Sequence, residues 1–195
     1  TLPLGLADHD LGVASLVLHP GQHVLVSGPP RSGRSSVLQL LSAQVRAAMP
    51  DAIQVAICDP VRSPLHGWAS LDAAGSVTGL ATALRAGVDH DAPWVVFVDD
   101  APAVEDPDGL LAALLVARPD VHVVASGRPG DLRSGYGHWS RPVRQSRTGL
   151  LLQPDLTTDG DVLSVRLPRR LTTPLTTGRG FLVQDGEPHL VQVAL

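Results

Sequence analysis

Within Gly28-Pro29-Pro30-Arg31-Ser32-Gly33-Arg34-Ser35-Ser36, two glycines five residues apart are followed by one basic residue and two hydroxyls. This matches the phosphate-binding template G-x-x-x-x-G-K-[ST] at every element but the lysine. In that template successive backbone N–H groups wrap phosphates, the lysine neutralises their outer oxygens and the hydroxyl reaches Mg²⁺. Arg34 stands in the lysine position. The residues read as nucleotide contacts are Gly28, Arg31, Ser32, Gly33, Arg34, Ser35 and Ser36, with Ser35 as the Mg²⁺ ligand. The competing reading, a glycine turn that merely joins a strand to a helix, is outweighed by the local context: an apolar run, Val24-Leu25-Val26, before the loop and a helical pattern in Val37, Leu38, Leu40, Leu41 and Val45 after it.

A second stretch belongs with the first. Trp94-Val95-Val96-Phe97-Val98 runs straight into Asp99-Asp100, as a central parallel strand does when both faces are covered and its carboxyl end points at a ligand crevice. By position Asp99 holds Mg²⁺ through water. Asp100 occupies the place where a nucleotide-hydrolysing site of this architecture commonly has a glutamate to polarise water. Asp99 and Asp100 are therefore the catalytic candidates, and ATP with Mg²⁺ is the candidate cofactor pair.

The same residues argue against turnover. A planar guanidinium does not fold into the loop as a compact ammonium does, and Arg34 can pair with Asp99 or Asp100, or fill the empty site itself. The Asp100 carboxylate is one methylene, about 1.5 Å, shorter than a glutamate's, and catalytic geometry tolerates little misplacement. Pro29 and Pro30 remove two N–H groups from the loop. Weak or absent hydrolysis is expected. Ser126 and Arg128 end the next strand, where a phosphate-sensing group sits in such sites, or they are simply a strand-end serine and a surface arginine. Arg179, between Gly178 and Gly180, is either a finger offered to a neighbouring subunit or part of a turn.

The elements that position these residues follow from the pattern. A small hairpin before the loop is expected from Leu4 to Leu18. A helix then runs to about Met49, where Pro50 stops it. Ile53–Cys58 reads as a buried strand, residues 61 to 74 as irregular, Val77–Val88 as a helix, and Asp108–Ala117 as a helix with Asp106 at its N-cap and Pro107 at its first position. Val121–Ser126 is another buried strand, and Gly130–Ser140 is a loop whose Trp139 packs on the sheet. Gly149–Gln153, Val162–Leu167, Gly180–Gln184 and His189–Leu195 read as short strands forming an antiparallel addition. The fold class is α/β: a P-loop NTPase in three layers, mainly parallel, with antiparallel strands added at the C-terminal end.

Composition bounds the rest. The 195 residues with 44% hydrophobic content suit one domain with a full core, and the net charge of −4 is spread without blocks, so a basic nucleic-acid-binding face is disfavoured. All 15 basic residues other than histidine are arginine, so no other position supplies a lysine to the loop. The lone Cys58 reads as a buried small hydrophobe, His122 as a core or edge histidine, and no spacing of histidine, cysteine and acids suggests a metal cluster. No apolar run approaches the roughly 20 residues that cross a bilayer. The chain opens at Thr1 on domain-like sequence, and residues 1–195 are read as one soluble module excised from a longer protein.

Taken together, these stretches resemble the FtsK/SpoIIIE family of P-loop translocases. The likeness is carried by the leader Leu2–Leu6, the strand and loop His23–Ser36, Val96–Asp100, Val121–Ser126, and the closing Thr177-Gly178-Arg179-Gly180-Phe181-Leu182-Val183 with Leu190-Val191-Gln192-Val193-Ala194. Within that family the chain is most similar to the tandem ATPase modules of actinobacterial type VII (ESX/Ess) secretion motors. Thr177 departs from the proline usual before the Gly-Arg-Gly. The resemblance implies a RecA-like fold and a degenerate, C-terminal-type module at the cytoplasmic face of the membrane within a membrane-anchored parent. It implies neighbouring ATPase modules, a ring oligomer and secreted helical-hairpin substrate proteins as partners, with DNA disfavoured. The function expected is substrate binding or regulation. The alternative is an active ATP-driven translocase that works on oligomerisation, for protein secretion or DNA translocation.

Overall fold

The computed structural model describes residues 1–59, 61–68, 73–86, 92–135 and 137–194. The chain opens with β1 (Leu2–Ala7) and β2 (Val13–Leu16), then β3 (Val24–Ser27), the loop, and α1 (Arg34–Ala48). β4 (Ile53–Ile57), β5 (Ala73–Gly75), α2 (Val77–Ala86), β6 (Trp94–Val98), α3 (Leu110–Ala117) and β7 (Val121–Gly127) follow. The last third holds α4 (Pro129–Ser134), α5 (Arg141–Gln145), β8 (Gly149–Leu152), a 3-10 turn at Asp159–Leu163, β9 (Arg179–Gln184) and β10 (Glu187–Val193).

Among the described residues these strands make one sheet of 10, in the order β2-β1-β10-β9-β8-β3-β7-β6-β4-β5. Every pairing from β5 across to β8 is parallel, and every pairing from β8 through β9, β10 and β1 to β2 is antiparallel. Alternation along each central strand divides the core between two faces. Val24 and Val26 join Val37, Leu38, Leu41 and Val45 of α1, while Leu25 joins Leu80, Leu111, Leu132 and Val143 of the helices opposite. Covering both faces explains why β6 is buried at all five positions and reads as an unbroken apolar run. The architecture is the three-layer α/β arrangement expected, its core strands mostly parallel.

Several local expectations are corrected. Gly149–Leu152 pairs parallel to β3, with Leu25 opposite Gly149, so it closes the parallel core and the antiparallel part begins only at β9. Val162–Leu167 is no strand. Its alternation of Leu163, Val165 and Leu167 imitates one, but Ser164 takes a left-handed φ of 55° and Val165 N–H turns back to the Gly160 carbonyl at 3.0 Å. The expected loop from Gly130 contains α4, and a short strand, β5, lies in the stretch read as irregular. Asp106 and Pro107 sit before α3, whose N-cap position is Gly109; Asp106 still serves the helix end, accepting from Leu110 N–H at 2.7 Å and Ala112 N–H at 3.0 Å. The expected end of the α2 helix at Val88, Pro60 after β4 and the final Leu195 lie outside the described residues. Among the described residues no helix is long and apolar enough to cross a membrane.

Candidate nucleotide site

The parallel register brings the site together. Ser27 pairs with Gly127 and Val98 with Ala125, so the chain leaves β3, β6 and β7 at one edge and delivers the loop, Asp99-Asp100 and Ser126 side by side. Asp99 N–H is fixed to the Ile57 carbonyl at 3.0 Å. Gly28 must be glycine because a Cβ there would lie 2.5 Å from Ser32 Oγ and 2.8 Å from the Leu152 carbonyl. Gly33, with φ 101°, supplies the left-handed step that turns the loop into α1. Arg31 also sits at positive φ, 65°, a conformation that costs a non-glycine residue and that a loop of inward-pointing amides uses.

Of the residues picked from the sequence, Ser35 and Asp99 meet. Ser35 Oγ donates to Asp99 Oδ2 at 3.1 Å. Ser126 donates to Asp99 Oδ1 at 2.7 Å and accepts from Asp100 N–H at 3.0 Å, so the serine at the end of β7 orders both acids. Ser63 was not singled out from sequence, yet it makes the shortest of these contacts, 2.6 Å to Asp99 Oδ2. Its signal is faint: Asp59 caps the turn that delivers it, accepting from Val61 N–H at 2.8 Å. Asp100 adopts a left-handed φ of 56° and is exposed, as are Arg31 and Ser36, whereas Ser32 is fully buried. Among the described residues Ser32 Oγ has no hydrogen-bond partner.

Arg34 does not face Asp99 with a hydrogen bond. Its guanidinium turns back across the loop and donates to the Gly28 carbonyl. Burial pushes its pKa below the ordinary arginine value, Asp100 and Asp99 pull it back up, and Arg128 opposes them; it remains a cation at any ordinary pH. Arg128 is exposed at the end of β7. Arg179 is committed within its own chain, its guanidinium paired with Asp8 and donating to Thr173 Oγ1 at 2.9 Å, and Gly178 N–H beside it holds the Ser32 carbonyl at 3.1 Å.

A cleft of about 960 Å³ opens beside these groups, lined by Ser35, Asp99 and Asp100 together with Val77, Val104 and Leu110. Cys58 lines it too and is half-buried rather than enclosed. Burial raises its thiol pKa, the Ser63 hydroxyl draws it down, and Asp99 and Asp59 raise it further, so the thiol form is favoured. Trp139 is buried with its indole N–H on the Val104 carbonyl at 2.8 Å, and His122 is buried with Nδ1 2.9 Å from the Gln22 carbonyl.

The hydroxyl and carboxylate of Ser35 and Asp99 suit a hard cation such as Mg²⁺. The Arg34 guanidinium crosses from the end of the loop to the carbonyl at its start.

No protein-family model matches the chain and no curated protein matches it. Solved structures do. EccC (ATPases 2 and 3) of Thermomonospora curvata, in complex with a signal sequence peptide, aligns at TM-score 0.74 and 23% identity over 99% of this chain and 40% of that one. EssC (ATPases 2 and 3) from Geobacillus thermodenitrificans aligns at TM-score 0.78 and 18% identity over 98% of this chain and 40% of that one. The pCW3 conjugation coupling protein TcpA, with ATPγS, aligns at TM-score 0.70 and 14% identity over 98% of this chain and 65% of that one. The chain thus spans 40% of the length of the EccC and EssC chains. Its loop, its two-faced sheet and these alignments together give it the fold of the P-loop NTPases, with the type VII secretion ATPase EccC among its structural neighbours.

Proposed function

We propose that residues 1–195 form one module of a type VII secretion motor, that its nucleotide site is degenerate, and that it serves substrate binding or regulation instead of independent ATP hydrolysis. The observation that carries the reading is the Arg34 guanidinium on the Gly28 carbonyl, which spans the loop where phosphate oxygens bind in working sites. The EccC neighbour is held in complex with a signal sequence peptide, which supports a secreted protein as the partner of this module. On this reading the parent is anchored in a membrane, works beside further ATPase modules at the cytoplasmic face, and assembles as a ring.

Calorimetric titration with Mg-ATP, on the chain as it is and on Arg34→Lys, tests the degenerate site. Binding restored only by the lysine supports it; tight binding by both, with turnover, overturns it. The second reading is a motor that turns over on assembly, favoured by the Ser35–Asp99 contact at 3.1 Å, the pair a metal-dependent site needs. Turnover that rises with protein concentration and vanishes in Asp99→Ala would establish it.

A further inference from the structure

No block of like charge marks the sequence, yet the fold gathers one. Between positions 141 and 170 stand six arginines, Arg141, Arg144, Arg147, Arg166, Arg169 and Arg170, against three aspartates, in a chain whose net charge is −4. Two of those aspartates are engaged. Asp155 accepts from Thr157 N–H at 2.8 Å and Thr158 N–H at 3.2 Å, and Asp159 is buried and paired with Arg133. Arginines elsewhere find carboxylates, as Arg118 does in Asp120 and Arg179 in Asp8. None of the six is in an ion pair among the described residues.

The two stretches meet on the face of the sheet that carries α5. Arg147 donates to the Ser164 carbonyl at 3.2 Å, and Val143 of α5 shares a core cluster with Val165. Beyond Ser164 the chain runs as a strap held down by Val165, Leu167 and Leu171, which pack on that cluster. Arg166, Arg169 and Arg170 between these anchors are exposed, as are Arg141 and Arg147, with Arg144 half-buried. The exposed Asp161 lies in the turn before the strap, and Asp185 and Glu187 flank Gly186, against which the Arg147 guanidinium lies. The apolar residues of the strip face inward, so it offers no apolar anchor to a folded protein partner. It contains no aromatic on which a base could stack. What remains is an array of guanidinium forks, which suit phosphate and carboxylate oxygens. Duplex DNA holds its phosphates at fixed, dense spacing and calls for many matched cations, whereas a bilayer brings mobile acidic head groups to the cations wherever they lie.

We infer that α5 with Arg147 and the strap from Arg166 to Arg170 form a docking strip for the surface of an anionic lipid bilayer, held by the acidic head groups of its lipids. The contact is peripheral and electrostatic, and it sets which side of the module faces the bilayer. It does not depend on whether nucleotide binds.

The test is flotation of the 195-residue chain with vesicles of phosphatidylcholine alone or with about one third phosphatidylserine. Binding is expected to the acidic vesicles only, weakening as salt rises. Arg166→Gln, Arg169→Gln and Arg170→Gln together should weaken it roughly a hundredfold, while lysine at the same three positions should retain it. Arg62→Gln, which removes a charge outside the strip, should leave it unchanged. Circular dichroism and thermal unfolding confirm that each variant is folded. Equal binding to neutral vesicles, no binding to acidic ones at low salt, or indifference to the glutamine substitutions overturns the inference. So does loss of binding in the lysine variant or in Arg62→Gln. Displacement from the vesicles by a DNA duplex of about 20 base pairs also overturns it, because the strip would then be a nucleic-acid site.

Discussion

Ser63 reaches Asp99 across 36 residues of chain and donates to Oδ2 at 2.6 Å, closer than Ser35, whose hydroxyl meets the same oxygen at 3.1 Å. Asp99 is therefore the acceptor on which α1, the turn after β4 and the end of β7 converge. Removing it leaves a fully buried Ser126 hydroxyl without its acceptor. Asp99→Ala should lower unfolding free energy by about 2 kcal/mol and Ser63→Ala by about 1 kcal/mol, read from urea midpoints at unchanged m-value.

His23, at 3% exposure, accepts from Val123 N–H at 3.3 Å. Burial, reinforced by His122, lowers its pKa from 6.5 to about 4. The folded state thus binds the proton less readily than the unfolded state. Its contribution is fully present above the unfolded value and is lost as pH falls from 6.5 toward 4. The total is about 3 kcal/mol. Denaturant midpoints measured across that window should drop steeply, and His23→Gln should flatten the slope.

Gly28→Ala should be costly because backbone stands in the way. The added carbon would meet the Leu152 carbonyl at 2.8 Å as well as the Ser32 hydroxyl at 2.5 Å, and β8 would have to move from β3. A loss of about 1–3 kcal/mol is expected, with hydrogen exchange accelerated in both strands.

Arg179 and Asp8 are partners 171 residues apart. Asp8→Asn and Arg179→Ala should each loosen the turn of the β1–β2 hairpin, and their combination should cost less than the sum of the two, with a coupling of about 0.5–1 kcal/mol. Additive losses would show that the ion pair contributes nothing.

Two neighbouring apolar residues of α3 should separate cleanly. Leu111 is 1% exposed and Val116 is 83% exposed. Leu111→Ala should cost about 2–4 kcal/mol, while Val116→Ala should change stability by no more than about 0.5 kcal/mol.

The parts of the fold legible in the sequence were those where an apolar run ends in a chemical residue. β3 runs into the loop and β6 into Asp99, and both the elements and their convergence follow from burial on two faces. Strand direction was not legible for β8: four apolar residues read the same whether the partner runs with them or against them, and only the ladder to β3 decides. The false strand at Val162–Leu167 arose because period-two alternation survives in a turn. Ser164 at positive φ breaks the extended backbone without disturbing the pattern. Ser63 is only faintly marked in the sequence because its role depends on how the turn closed by Asp59 brings its hydroxyl to Asp99, and no periodicity records that. Arg34 was recognisable as a departure from the phosphate-loop pattern, but its hydrogen bond to Gly28 is a property of the folded loop.

The first and last strands are neighbours: β1 and β10 run antiparallel with Gly5 opposite Val193, and Ala194 N–H donates to the Leu4 carbonyl at 2.9 Å. The two ends of the described chain consequently emerge from the same corner of the sheet. A force applied through them loads the β1–β10 bonds one after another, as in a zipper, instead of sharing the load along the ladder. The N-terminal hairpin should therefore peel away first, at low tension, while the parallel core that carries Asp99 and the loop stays closed.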